Sequence, residues 1–132
     1  RIFTPVIGRR ILKQSLGEAY HPYPVQEDYL RAAEMLWTGP DQVLACAIDD
    51  RSLNTSLKTL SQRYAEIRLP VVIVAGDSDL LLDPQSQARR LHRAIPGSEL
   101  VVLEGTGHQI PQTRPASVIE AIERGWELAD RR

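Results

Sequence analysis

The sequence predicts an α/β protein, in which a helical segment over residues 1–68 precedes a β-α-β-α unit with two parallel strands over residues 69–132. Three observations carry this reading. Leu69-Pro-Val-Val-Ile-Val-Ala75 is continuously apolar and β-branched, the pattern of a strand covered on both faces of a parallel sheet. A second short strand pattern, Glu99–Leu103, follows after an amphipathic stretch bracketed by Asp83-Pro84 and Pro96-Gly97. Finally, composition changes near residue 68, where Pro- and Gly-punctuated helical patterns give way to alternating strand and helix patterns.

In chain order, Ile7, Ile11 and Leu12 recur at helical spacing, with Arg9, Arg10 and Lys13 on other faces, and the helix is expected to end near Gly17. This basic amphipathic stretch is too short to favour a membrane surface over ordinary packing. Ala19-Tyr-His-Pro-Tyr-Pro24 reads as a loop. A helix follows from about Gln26 to Trp37, with Tyr29, Ala33, Leu36 and Trp37 inward and Gly39-Pro40 as its stop. Asp41–Ile48 and Asn54–Ala65 read as two further helices. Beyond the first strand, Pro84 suits the first turn of a helix capped by Asp83, with Ala88, Leu91 and Ile95 as its inner stripe. Gly105-Thr-Gly-His108 reads as a tight turn after the second strand. The last helix is expected from about Pro115 to Leu128, with Val118, Ile119, Ile122 and Trp126 inward, and the crossover between the strands is expected to be right-handed.

Composition narrows the function. In 132 residues there is room for one domain, and 42% hydrophobic with 25% charged residues is ordinary globular usage. Sixteen Lys/Arg against seventeen Asp/Glu leave no basic excess for a phosphate backbone, so nucleic acid is not an expected partner. No apolar run approaches the roughly 20 residues of a membrane span, and no stable membrane insertion is expected. The single Cys46 excludes an internal disulfide; flanked by Val43, Leu44, Ala45, Ala47 and Ile48, it reads as a small buried hydrophobe. Three scattered histidines lack ligand spacing, so no metal site is expected. Without a signal-peptide pattern the expected location is cytoplasmic, and a start at Arg1 rather than Met reads as part of a longer frame or a processed product.

Chemistry points to two loops at the carboxyl ends of neighbouring parallel strands, the edge where ligands and catalytic groups gather. The first is Gly76-Asp77-Ser78-Asp79 and the second Gly105-Thr106-Gly107-His108. Asp79 and His108 stand one strand–helix–strand unit apart. Adjacent strands are about 4.8 Å apart, so a short acid on one can reach an imidazole on the next. A carboxylate on one ring nitrogen fixes the tautomer and stabilises the imidazolium formed when the other takes a proton. The quieter reading makes Asp79 a turn residue, as Asp77 is read. His92 reads as solvated on a helix face and His21 as a loop histidine. Tyr20, Tyr23, Tyr29 and Trp37 read as packing rather than as an acyl pocket.

On these residues the sequence resembles the α/β-hydrolase superfamily. Pro70-Val-Val-Ile-Val-Ala-Gly-Asp-Ser-Asp79 with Pro84 following, then Val101-Val-Leu-Glu-Gly-Thr-Gly-His108 and Pro115, are similar to the family's last two strands with their loops, over about Arg68–Leu128. The resemblance implies that Asp79 is the acid and His108 the base of a nucleophile–His–acid triad. It also implies that residues 1–68 are a cap or lid. The substrate class it implies is a small, fairly apolar ester-like molecule, and it implies no cofactor. The family's Gly-x-Ser-x-Gly elbow does not occur in these residues: none of Ser52, Ser56, Ser61, Ser78, Ser86, Ser98 and Ser117 has the flanking glycine on both sides. The nucleophile, Ser in most members and Asp in dehalogenases and epoxide hydrolases, is therefore expected outside them. A chain holding two strands of such a sheet is expected to form a homodimer or to join the missing half, with residues 71–75 near the contact. The other reading is a non-catalytic fragment that associates with itself or a partner.

Overall fold

A computed structural model describes residues 4–84 and 86–131. In chain order the elements are α1 (Thr4–Tyr20), α2 (Glu27–Trp37), α3 (Pro40–Ser61), β1 (Val72–Gly76), α4 (Gln87–Ala94), β2 (Glu99–Leu103), a short α5 (Ile110–Thr113) and α6 (Pro115–Asp130), with a 3-10 turn at Tyr64–Glu66 before β1. The fold is mixed helix and strand around a two-stranded parallel sheet. Its register pairs Val72 with Glu99 through Gly76 with Leu103, which brings both strands to their carboxyl ends side by side. The first strand starts at Val72 rather than Leu69. Pro70 has no N–H to give a ladder, and pairing begins where the Glu99 amide donates to the Val71 carbonyl at 2.9 Å.

Two small cores hold the chain. Between α1 and α2, Leu16, Ala19, Tyr20 and Ala33 are buried, with Leu12, Val25, Tyr29 and Leu30 packed against them. Tyr20 and Tyr29 meet with their rings tilted and centroids 5.5 Å apart, and Trp37 meets Tyr29 edge-on at 6.4 Å, so these three rings pack in a row. Around the sheet, β1 contacts both α4 and α6, and Ile73 and Ile95 are buried. A bidentate pair, Arg124 Nε and Nη2 to the Glu99 carboxylate at 2.8 and 2.7 Å, ties α6 to β2. The Arg124 bonds hold the half-exposed Glu99 carboxyl below its ordinary range.

Several helices differ from the sequence expectation. Residues 40–61 form one helix, not two, because nothing between Asp41 and Ser61 is Pro or Gly. The apolar positions do change sides along it: Val43, Leu44, Ala47 and Ile48 lie on one side, Leu53, Leu57 and Leu60 on another. Neither side is covered by the rest of the described chain, and Cys46 is exposed rather than buried, since its apolar neighbours have nothing to pack on. The helix α4 begins at Gln87, because the chain from Asp79 to Leu82 is first drawn into a turn around the Asp79 carboxylate. On α6 the residues toward the sheet are Val118, Ala121, Gly125 and Leu128, while Ile119, Ile122 and Trp126 are exposed. Leu36 and Trp37 are likewise exposed on α2, and Ile11 on α1; the side chain of Ile7 lies outside the described residues.

Candidate active site

The β1 ladder ends at Gly76, and the chain turns at once into the loop that carries Asp77 and Asp79. Gly76 is required here by crowding: a Cβ would lie 2.0 Å from the Thr106 carbonyl oxygen of the opposite loop. Past the ladder, the Asp77 amide donates to the Leu103 carbonyl at 3.1 Å and the Ser78 amide to the Thr106 carbonyl at 3.0 Å. The second loop turns at Gly105, whose φ of 59° lies in the left-handed region that glycine adopts without strain. Thr106 is fully buried, and Gly107 sits against the helical segment, where a Cβ would lie 1.8 Å from the His21 carbonyl oxygen. The Gln109 amide donates to the Ala19 carbonyl at 2.9 Å. The end of α1 therefore backs the loop that carries His108.

These contacts bring Asp79 and His108 together, with His108 Nδ1 2.9 Å from Asp79 Oδ2. The other oxygen, Oδ1, accepts the amides of Leu81 and Leu82 at 2.8 and 2.9 Å. Burial pushes the Asp79 carboxyl up, but the bonds from Leu82, His108 and Leu81 outweigh it, and the group titrates below the ordinary aspartate value. An ionised carboxylate only accepts, so the shared proton belongs to Nδ1. In neutral His108 that leaves Nε2 as an acceptor, and it makes no hydrogen bond among the described residues. The Asp79 side chain is 11% exposed and that of His108 38%: the carboxylate is tucked in and the imidazole is reachable.

Both line an open cleft of about 1010 Å³ between α3, β1 and α4, whose apolar walls include Leu57, Ile73, Ala75, Leu82, Leu91 and Ile110. A second hollow of about 320 Å³, lined by Leu60, Arg63, Tyr64, Glu66 and Ile67, holds neither residue. Among the described residues no hydroxyl or thiol is hydrogen-bonded to His108; Ser78 donates to Asp77 Oδ1 and Ser61, on the cleft wall, to the Lys58 carbonyl. No group of three or more His, Cys, Asp or Glu among the described residues is placed to hold a metal ion. Nor is any helix among them long and apolar enough to cross a membrane.

The other candidates are placed differently from one another. His92 is half-buried rather than free in solvent, its Nδ1 2.9 Å from the hydroxyl of buried Ser98, which closes the end of α4 by donating to the Ile95 carbonyl. His21 has an exposed side chain, and its carbonyl lies against Gly107 of the His108 loop. Tyr23 lies under the Arg114 guanidinium at 5.7 Å. Sequence reasoning missed the reach of Asp77: its Oδ1 accepts the Gly105 amide at 2.8 Å, across 28 residues.

Because Asp79 titrates lower in the folded chain than unfolded, the unfolded state binds more protons as pH falls. Its stabilisation is complete above the ordinary value of about 3.9 and is lost as pH falls through the lower folded value. Thermal melts from neutral to acid pH are expected to show Asp79→Asn losing part of the wild-type acid sensitivity; parallel curves would contradict this.

No protein-family profile matches the chain. The uncharacterized proteins Rv2715 of Mycobacterium tuberculosis and Mb2734 of Mycobacterium bovis are each 38% identical to it over 71 residues, covering 54% of this chain and 20% of theirs. The uncharacterized hydrolase YugF of Bacillus subtilis is 31% identical over 61 residues, covering 46% of this chain and 22% of its own length. The match thus spans about a fifth of the length of these curated relatives. The chain is distantly similar to a hydrolase.

Proposed function

We propose that this chain is the C-terminal part of an α/β-hydrolase, with residues 1–68 as its cap segment and residues 69–132 as the end of its core. It supplies the acid and the base of a triad that cleaves a small, apolar ester-like substrate. The observation that carries the reading is the 2.9 Å bond from His108 Nδ1 to Asp79 Oδ2, made between loops that follow adjacent parallel strands. The apolar walls of the cleft and the distant likeness to YugF support it.

The chemistry follows from the tautomer. His108 Nε2 takes the proton of a hydroxyl nucleophile as its oxygen attacks the ester carbonyl. Asp79 balances the imidazolium this creates. Nε2 then gives the proton to the departing alcohol, leaving an acyl-enzyme, and removes one from the water that releases the acid. The nucleophile lies outside these residues. In a complete enzyme His108→Ala is expected to abolish hydrolysis of p-nitrophenyl esters while leaving the fold intact; unchanged turnover would overturn the proposal.

A second reading, a non-catalytic chain that associates with itself or a partner, rests on surface area. The accessible surface is 9921 Å², against about 7,000 Å² for a compact monomer of this mass. The outer edge of β1 and the exposed apolar stripe of α6 (Ile119, Ile122, Trp126) are surfaces that a second copy or the missing half would cover. Both readings predict assembly. Sedimentation at micromolar concentration is expected to find a dimer or a complex, with Val72–Gly76 near the contact, whereas a 14.8 kDa monomer with one cooperative melt would contradict it.

A further inference from the structure

We infer that Asp77 is a positioning residue for His108, acting through the Gly105 amide. The inference rests on the catalytic role proposed for His108, and it concerns how the acid and the base are held at bonding distance.

The backbone ladder between the strands stops at Gly76 and Leu103. Asp79 stands three residues beyond that end on one side and His108 five residues beyond it on the other. Two loops that leave a ladder in parallel have no further strand pairing to keep a 2.9 Å contact between their tips. Asp77 supplies the missing rung. Its amide donates back to Leu103, and its Oδ1 accepts the Gly105 amide at 2.8 Å and the Ser78 hydroxyl at 2.9 Å. One residue thus grips the second loop on both sides of Glu104. Gly105 is where that loop reverses, at φ 59°, and His108 is three residues on. With Gly105 held, the Thr106 carbonyl meets the Ser78 amide, Thr106 is sealed from solvent, and the next peptides reach the carbonyls of His21 and Ala19. Asp77 is thus the side chain that sets the register of the base loop against the acid loop, and it needs an acceptor oxygen rather than a charge to do so.

The test separates acceptor from charge. Asp77→Asn keeps an oxygen for Gly105; Asp77→Ala removes it. The readout is the His108 ring, followed by nitrogen-15 NMR in the chain without substrate, with amide exchange at Gly105 and at the β1 residues measured in parallel. In wild type and Asp77→Asn, neutral His108 is expected to carry its proton on Nδ1. In Asp77→Ala the Gly105 amide exchanges faster, the β1 amides stay protected, and the ring proton redistributes toward Nε2. In a complete enzyme the same variant loses about 10² in kcat, the cost of a misplaced catalytic group. Asp77→Leu, which keeps the branched shape without an acceptor, is read in the same way if Asp77→Ala does not fold. An unchanged ring in the Ala or Leu variant with an unprotected Gly105 overturns the inference, as does an Asn variant that behaves like Ala. Because the ring is read without turnover, failure of a complete enzyme to hydrolyse esters counts against the proposed function and leaves this result standing.

Discussion

In a complete or complemented enzyme, Asp79→Asn is expected to lower kcat by about 10³–10⁴, whereas Asp77→Asn stays within about tenfold of wild type. The asymmetry has a structural cause. Asp79 Oδ2 receives the His108 Nδ1 proton, and both amides of Leu81 and Leu82 converge on Oδ1. An asparagine can keep its carbonyl on those two amides only by turning its NH₂ toward His108. The ring must then accept at Nδ1 and carry its proton on Nε2, the nitrogen that has to act as base. Asp77 makes its bond to a backbone amide, which an asparagine oxygen accepts equally well. Steady-state kinetics on the two variants decide the matter, and equal losses, or a larger one for Asp77, would mean that the wrong carboxylate has been assigned.

The second large effect concerns the chain alone. Purified residues 1–132 are expected to show no enzyme-like turnover across a p-nitrophenyl ester series, and His108→Ala is expected to change nothing. Losing the nucleophile of a triad costs about 10⁶ in kcat. The base and its acid remain in place, yet no hydroxyl or thiol among the described residues is bonded to His108. Turnover that vanished in the His108→Ala chain would place a working nucleophile inside these residues.

The strands at Val72–Gly76 and Glu99–Leu103 were legible because continuous β-branched runs have few other uses in a short domain. The meeting of Asp79 and His108 was legible because parallel neighbours bring their following loops to one edge. Other features were hidden for physical reasons. The Asp77 latch was not visible, since a carboxylate that closes its own turn and one that reaches a glycine 28 residues away look identical in one dimension. The burial of Ile119, Ile122, Trp126 and Cys46 was misread because an apolar residue advertises that something covers it, not that this chain does. Among the described residues these side chains stay exposed, as do the apolar residues on both sides of α3.

On the proposed function, His108 activates a nucleophile lying outside these residues. Acid-quench trapping of the acyl-enzyme formed by the complete protein with a p-nitrophenyl ester, followed by peptide mapping, locates that nucleophile. An acyl group is expected on a residue outside 1–132, formed only while His108 is present. An acyl group on a residue within 1–132, or one that forms equally in His108→Ala, would contradict it.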